Sequence, residues 1–461
     1  MPVAPGWFRT LLAPLERLDP PERKGSRAFL WLWSLGFYLN FAESWDQPVL
    51  TFAILIACAS TLVLKNLALA WNIFLALSTS VLLYQAPLLA NHSMFTLFVN
   101  LYLAWRSLRG TLSDGRSVAT PLRLALAAVY FWAAVHKMNA DFLYSPVDSC
   151  ALNFMQRLNS SPFFPPLPYR VITSAVVPHV VIAFELAMAV ALTFRRTVYL
   201  GLVLSLLFHM QLAALEFIDF SMTAVSILAL TLTGFGEESR IMRTVRVTIP
   251  IYTVAQLGAG VVSFFQSTRG AGTFGYACQA VLFYAFAVFL LVRGSRIAFQ
   301  GRSVRVPRRS FGYLVFPALV FLFGPVNYLG LSTSGNFSMF SNIRTEGHEW
   351  NHVLIPRSVR VFHYQDRIYW IHDIDPAIVR PNREHPRRGF GMPEIEMYRV
   401  IDAWRARRTM PAFIDYEVDG VRQNLSDFRN LMSSARPYSW IEQKLLFFRR
   451  VQPPGPNFCR W

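Results

Sequence analysis

The chain has 461 residues, 54% of them hydrophobic and only 15% charged, with a formal net charge of +17. Long apolar runs recur through its first three quarters, which excludes an ordinary soluble protein and points to a polytopic membrane protein. The basic excess does not mean nucleic acid, because much of it lies in short loops between apolar runs, where it sets topology.

Residues 1–27 are basic and contain prolines, without a short apolar core followed by a small-residue cleavage site. They are expected to form a cytoplasmic segment with no removable signal peptide. Apolar spans are predicted near 28–43, 48–64, 66–86, 94–108, 119–137, 171–194, 197–215, 219–235, 248–265, 274–292 and 311–331. Several are shorter than the ~20 residues of a full crossing, so about 9–11 spans are expected over 28–331. With the N-terminus in the cytoplasm, the runs around Arg23, Lys65, Arg106, Arg195, Arg243 and Arg302 share that side, and the opposite loops keep only Arg157, Arg170 and Arg269. The positive-inside rule therefore places the 138–170 loop and everything after Gly330 on the outer side.

That loop carries Asp141, Asp148, Cys150 and a proline cluster, and is expected to fold as a lid or re-entrant segment. After Gly330 the apolar spans give way to alternating, turn-rich sequence. Ser358–Tyr364 and Arg367–His372 around Gln365-Asp366 predict a β-hairpin, and helical patterns follow at Glu394–Arg408 and near Trp440–Arg449. Residues 332–461 are thus expected to form a small outer-side α+β domain behind an all-α polytopic membrane domain.

The polar residues in or beside the spans carry the functional signal: Asn91, His92, Lys137, His179, Glu185, His209, Glu216 and Asp219. Topology gathers most of them near the outer face, where a lysine, histidines and carboxylates have the parts for proton transfer. Each also has a structural reading. A rim lysine can snorkel, a histidine can be an interhelical hydrogen-bond partner, and Glu216 and Asp219 can cap a turn. Glu185 lies mid-span between Phe184 and Leu186, where a carboxylate needs a partner. Cys58 and Cys278 fall in spans, and Cys150 and Cys459 outside them can pair if both meet an oxidising compartment. His348-Glu349-Trp350-Asn351-His352 matches the H-E-x-x-H zinc pattern, but Gly347 and Pro356 leave little room for its helix, so a loop and no metal are expected.

Asn91-His92-Ser93 opening one span, Tyr130-Phe131 through His136-Lys137-Met138-Asn139-Ala140-Asp141 ending the next, and Phe208-His209 in a later span together resemble the vitamin K-dependent γ-glutamyl carboxylase and its bacterial HTTM-domain relatives. Gly335–Gly347 resembles the bacterial members further. The likeness extends over about residues 28–450. It implies that Lys137 is the base that deprotonates vitamin K hydroquinone and that His92 assists oxygenation. Asn91, Tyr130, His136, Asn139, Asp141, His179, Glu185 and His209 are the accompanying pocket candidates. In that family the oxygenated quinone becomes the strong base that removes a γ-proton from a substrate glutamate, so that CO2 is captured and an epoxide is left.

The departures are specific. His136-Lys137 stands where the animal motif has paired lysines, Asn139 where it has aspartate, and Met210-Gln211-Leu212 follows His209 without the usual asparagine. They bear mainly on carboxylation. The expected partners are the lipid bilayer, a quinone, and a secreted glutamate-containing peptide or protein. An excess of arginine over lysine suggests a bacterial inner membrane, the alternative being an endoplasmic reticulum membrane. Two other functions fit the same residues: assisting maturation or export of a secreted peptide or toxin without vitamin K, and transport or proton relay.

Overall fold

A backbone crossing lipid can satisfy its N–H and C=O groups only within itself, so the apolar sequence winds into helices. The computed structural model describes residues 21–41, 48–86, 89–112, 115–145, 149–161, 166–215, 217–233, 239–249, 269–299, 312–375, 389–407, 411–424 and 438–453, with single positions at 251, 428, 431, 455 and 459. Five helices come first: α1 (Pro21–Phe41), α2 (Pro48–Val63), α3 (Leu67–Gln85), α4 (Asn91–Leu108) and α5 (Gly115–His136). Three short ones follow, α6 (Ala140–Tyr144), α7 (Cys150–Ser160) and α8 (Tyr169–Ile172). Then come α9 (Val176–Thr193), α10 (Val198–Ala213), α11 (Ile218–Thr233), α12 (Arg269–Phe299), α13 (Gly312–Phe323) and α14 (Val326–Leu329).

Leu67–Gln85, Ser117–His136, Val176–Thr193 and Ala280–Ile297 are long and apolar enough to cross a membrane, and Phe52–Val63, Val198–Ala213, Ile218–Thr233 and Tyr313–Phe323 are shorter apolar helices. The chain is a multi-pass membrane protein. Most of the predicted 248–265 span, together with Asp148 and Glu216, lies outside the described residues.

The centre of the helical region is α5. Its membrane window is 83% buried, against 39–44% for the other three, and it packs on α9, α11 and α13. Buried Ala125, Ala127, Ala128, Ala133 and Ala134 let these neighbours approach closely. Its last turn is therefore surrounded by protein, and that fixes where Lys137 must sit.

The described residues of the 138–170 stretch form α6, α7 and the start of α8, while Asp148 and Pro162–Pro165 lie outside the described residues. Asn139 caps α6, its Oδ1 accepting from the Phe142 amide at 2.9 Å, and Asn342 Oδ1 accepts from the Cys150 amide at 2.7 Å at the start of α7. A disulfide joins Cys150 to Cys459, 309 positions later, and so ties the end of the chain to α7.

The C-terminal part carries a four-stranded antiparallel sheet of β1 (Ile368–Ile374), β2 (Phe390–Pro393), β3 (Ile414–Val418) and β4 (Val421–Gln423), in the order β2-β1-β3-β4. Tyr369 and Ile371, two apart on β1, and Ile414 and Tyr416 on β3 point to one face. There they bury against Met397, Ile401 and Trp404 of α15 (Glu394–Arg407). The last helix, α16 (Trp440–Leu445), begins with a capping box between Ser439 and Glu442.

The predicted hairpin over 358–372 does not form. Arg357–Val359 is a 3-10 turn, and β1 pairs instead with β2 and β3. The backbone of the expected first arm is used elsewhere: the Val361 and Phe362 amides both donate to Leu329 O at the end of α14. Arg360 inside that arm pairs with Asp366 and donates to the Gly347 and Thr345 carbonyls. The hairpin that does form is β3–β4, turned by Asp419-Gly420 at φ 52° and 78°, the left-handed pair that a type I′ turn requires.

Candidate functional site

Between α7, α8, α9 and α10 lies a cavity of about 580 Å³, within the range of small-molecule sites. Its wall is mainly apolar, with Phe154, Phe184, Phe208 and Phe340 contributing aromatic faces and Val177 and Val181 aliphatic ones. Val171, Val176 and Val180 line it too and are 47%, 61% and 57% exposed, so this part of the wall is open and apolar. On the same wall sits a buried ion pair, Lys137 and Glu185, each 3% exposed.

Lys137 follows the last residue of α5. Its Nζ donates to Glu185 Oε1 at 3.0 Å, to Met339 O at 3.0 Å and to Ala133 O, one turn back on its own helix, at 3.3 Å. Glu185 thus has the partner its mid-span position demands, a lysine 48 residues away that only the packing of α9 on α5 brings within reach. The pair adds no net charge to the apolar wall. Glu185 Oε2 has no hydrogen-bond partner among the described residues.

The third partner of Lys137 comes from the segment that follows α14 and precedes the sheet. Residues 335–342 carry positive φ at Gly335, Phe337, Phe340 and Asn342. Two of these are phenylalanines, for which the left-handed region is costly and persists only where the surroundings impose it. The surroundings do so. Phe337 donates its amide to Asn91 Oδ1 at 2.9 Å, and Phe340 packs its ring on Phe217 with centroids 4.8 Å apart while lining the cavity.

The other predicted residues are distributed around this wall, not on it. His136 is fully buried, its Nε2 donating to Asn336 O of the strained segment at 3.1 Å and its Nδ1 accepting from Tyr328 OH of α14 at 2.8 Å, so both ring nitrogens are engaged. Asn139 donates to His136 O at 2.8 Å and to Ser341 O, and Asp141 accepts from Asn351 at 2.7 Å. Tyr130 OH and His209 Nε2 are 2.6 Å apart, and His209 Nδ1 is 3.2 Å from Ser221 Oγ, forming a buried chain beside the cavity, which Phe208 lines in their place. His92 pairs with Asp219 at 3.2 Å and is partly exposed. His179 is exposed and bonds only its own helix, to Ala175 O at 3.1 Å. Of the candidate catalytic, pocket and disulfide residues named from the sequence, the cavity wall holds Lys137, Glu185 and Cys150.

The H-E-x-x-H segment is a loop. His352 Nε2 donates to Val135 O at 3.0 Å, and its Nδ1 accepts from the Leu354 and Ile355 amides at 3.1 and 2.9 Å. Neither nitrogen has a lone pair left for a metal, and burial pushes the imidazole below its ordinary value, which suits this neutral role. No cluster of metal-ligating side chains occurs among the described residues.

What sequence reading misses at this site is the contribution of main chain and aromatics: the Met339 carbonyl on Lys137, the Phe340 ring, and Phe154 of α7. Only Gly335 and Asn342, residue types that tolerate left-handed φ, hint at the segment's shape.

No family model, no curated protein and no solved structure matches the chain. The chemistry open to the site is that of an ammonium–carboxylate pair held dry against an aromatic cavity: proton exchange with a small, largely apolar molecule.

Proposed function

We propose that this chain is a membrane-embedded enzyme of the vitamin K-dependent carboxylase and HTTM kind, acting on a hydroquinone with O2 and coupling that step, where a glutamate-containing secreted peptide is presented, to CO2 capture. One observation carries this reading: the buried Lys137–Glu185 pair on the wall of an apolar cavity of about 580 Å³.

The residues present fit such a group. Phe154, Phe184, Phe208 and Phe340 offer aromatic faces to a quinol ring, and the exposed valines of α8 and α9 make an open apolar wall against which an isoprenoid tail would be covered. When bound, the hydroquinone supplies the oxygen chemistry that ends in an epoxide. The protein's part is to exclude water, orient the ring and exchange a proton through the Lys137–Glu185 unit. The Asn91, His136 and Asn139 hydrogen bonds keep residues 335–342, and with them Met339 O and Phe340, in position.

The positive-inside pattern and the Cys150–Cys459 disulfide both favour placing the C-terminal part on the periplasmic or lumenal side, which is oxidising. A bacterial inner membrane is the proposed location.

The test is incubation of the purified protein in nanodiscs with vitamin K hydroquinone and O2, with Lys137→Ala alongside. Epoxide from the wild type and none from the variant is the expected result. A folded wild type that makes no epoxide refutes the reading.

A further inference from the structure

We infer that α16 is an interfacial anchor: its Trp440, Ile441 and Leu445, continued by Val361 and Phe362, lie in the boundary between headgroups and acyl chains of the leaflet nearest the C-terminal part. The inference needs only the membrane-crossing helices. It is independent of the quinol reading and of which side of the membrane that leaflet faces.

Trp440, Ile441 and Leu445 are 73%, 61% and 65% exposed, although apolar side chains on one face of a helix normally turn toward a core. At 3.6 residues per turn they share an arc of about 140° with Lys444. The remaining surface of α16 is what binds it to the C-terminal part. Glu442 accepts from Tyr364 OH at 2.9 Å and from the Ser439 amide at 2.7 Å, and the Gln443 and Leu446 carbonyls accept from Arg399 of α15. The fold therefore leaves the apolar arc unused.

Lys444 shows where that arc is turned. Its Nζ donates to Ala86 O at 3.1 Å, across 358 positions of chain. Ala86 ends α3, a helix long and apolar enough to cross a membrane, and a carbonyl at a helix C-terminus lacks an intrahelical donor, which a lysine can supply. α16 thus sits where α3 leaves the membrane, with its apolar arc on the side of that contact. On α3, Leu83 and Tyr84 are exposed within a turn of Ala86, so the exposed apolar flank of a membrane helix runs up to the point that Lys444 holds.

A second attachment repeats the pattern. Val361 and Phe362, both exposed, hang by their amides from Leu329 O at the end of α14, which follows the apolar helix α13 after Gly324-Pro325. The Phe362 ring stacks on Tyr364 with centroids 6.3 Å apart, and Tyr364 is the residue that binds Glu442. The two apolar pieces are therefore joined to each other and tied to the ends of two apolar helices. A contiguous apolar surface at that level is covered by lipid, where an indole buries its ring and keeps its N–H at the wet headgroups, and the neighbouring aliphatic side chains add apolar area.

The test places one spin label at a time, at Ile441→Cys, Leu445→Cys or Val421→Cys, in the full chain carrying Cys58→Ser/Cys278→Ser and reconstituted in nanodiscs. Val421 is the control, an exposed apolar residue on β4. All three sites are exposed, so the labels leave the packed interior untouched. Power saturation compares collisions with O2, which concentrates in lipid, and with the nickel complex NiEDDA, which stays in water. O2 access is expected to exceed NiEDDA access at 441 and 445, and the order is expected to reverse at 421. The same water-like order at all three sites overturns the inference. Low access to both reagents at 441 and 445 overturns it too, because a protein would then cover the arc, whether a second copy of the chain, seen as spin–spin broadening, or a bound peptide.

Discussion

Met339 O accepts a hydrogen bond from Lys137 Nζ at 3.0 Å across 202 positions of chain, so the segment between α14 and the sheet supplies a main-chain ligand to the lysine that follows the central helix. Lys137 is thus one of the side chains through which the helical region and the C-terminal part are joined, and the state of the pair is coupled to how they dock.

Removing one partner of that pair should be worse than removing both. Lys137→Met leaves the Glu185 carboxylate buried beside an apolar cavity, and truncating one member of such a pair costs about 3–5 kcal/mol. Lys137→Met/Glu185→Gln leaves two neutral groups and should recover most of that loss. Chemical denaturation of the full chain in detergent, compared across wild type, both single variants and the double, measures the coupling. Additive losses would show that the two side chains do not act as a unit.

Cysteine accessibility reads the topology. With Cys150 and Cys459 in a disulfide that the proposed topology places on the outer side, and Cys58 in α2, a membrane-impermeant thiol reagent should label nothing on intact vesicles before reduction and two positions after it. Labelling at Cys58 would contradict the proposed arrangement of α2. Labelling at Cys150 or Cys459 without reduction would contradict the disulfide.

How much of this is legible in the sequence depends on the range of the interaction. The apolar helices are readable because hydropathy is local, and the H-E-x-x-H loop follows from neighbours a few residues away, whereas Asn139, read as a pocket candidate, is found capping α6. The 358–372 hairpin is misread because Val359 and Val361 alternate as a strand would, while the main chain there is claimed by Leu329 O, a partner that only tertiary structure supplies. The β3–β4 turn is the converse: Asp419-Gly420 is a local signal, available in the sequence and overlooked beside the longer pattern. Glu185 can be recognised as needing a partner, but Lys137 cannot be chosen as that partner until α9 packs on α5. His92 and His209 illustrate the same limit, since topology brings them to the right depth but cannot say that they face Asp219 and Tyr130, away from the cavity wall.

Gly330 is a position where the side chain must be absent. It ends α14 at φ 86°, and a Cβ there would lie 2.0 Å from Phe362 O, the carbonyl of a residue whose amide is bonded to Leu329. Gly330→Ala combines left-handed strain of about 1–2 kcal/mol with a backbone clash that no rotamer relieves. The expected result is a protein whose helical region persists while residues 329–362 lose their packing, detected as faster hydrogen exchange at the Val361 and Phe362 amides. Wild-type protection at those amides would refute the close approach.

Glu346 gives the C-terminal part a pH signature. Burial alone would raise its carboxyl, but the charge of Arg449, the Arg449 Nε hydrogen bond at 2.7 Å, and the amides of Thr345 and Glu346 outweigh that and hold it below the ordinary carboxylate range. A carboxyl depressed on folding contributes stability that is fully present above its unfolded value of about 4.3 and is lost as pH falls through the lower folded value. Glu346→Gln should therefore cost about 3 kcal/mol at neutral pH, where it strands the partly buried Arg449, and the difference from wild type should shrink below about pH 4 as the wild-type carboxylate itself takes up a proton. Denaturation of the full chain followed by tryptophan fluorescence from pH 7 to pH 3 tests the sign: curves that stay parallel down to pH 3 would mean that the Glu346–Arg449 pair adds no pH-dependent stability.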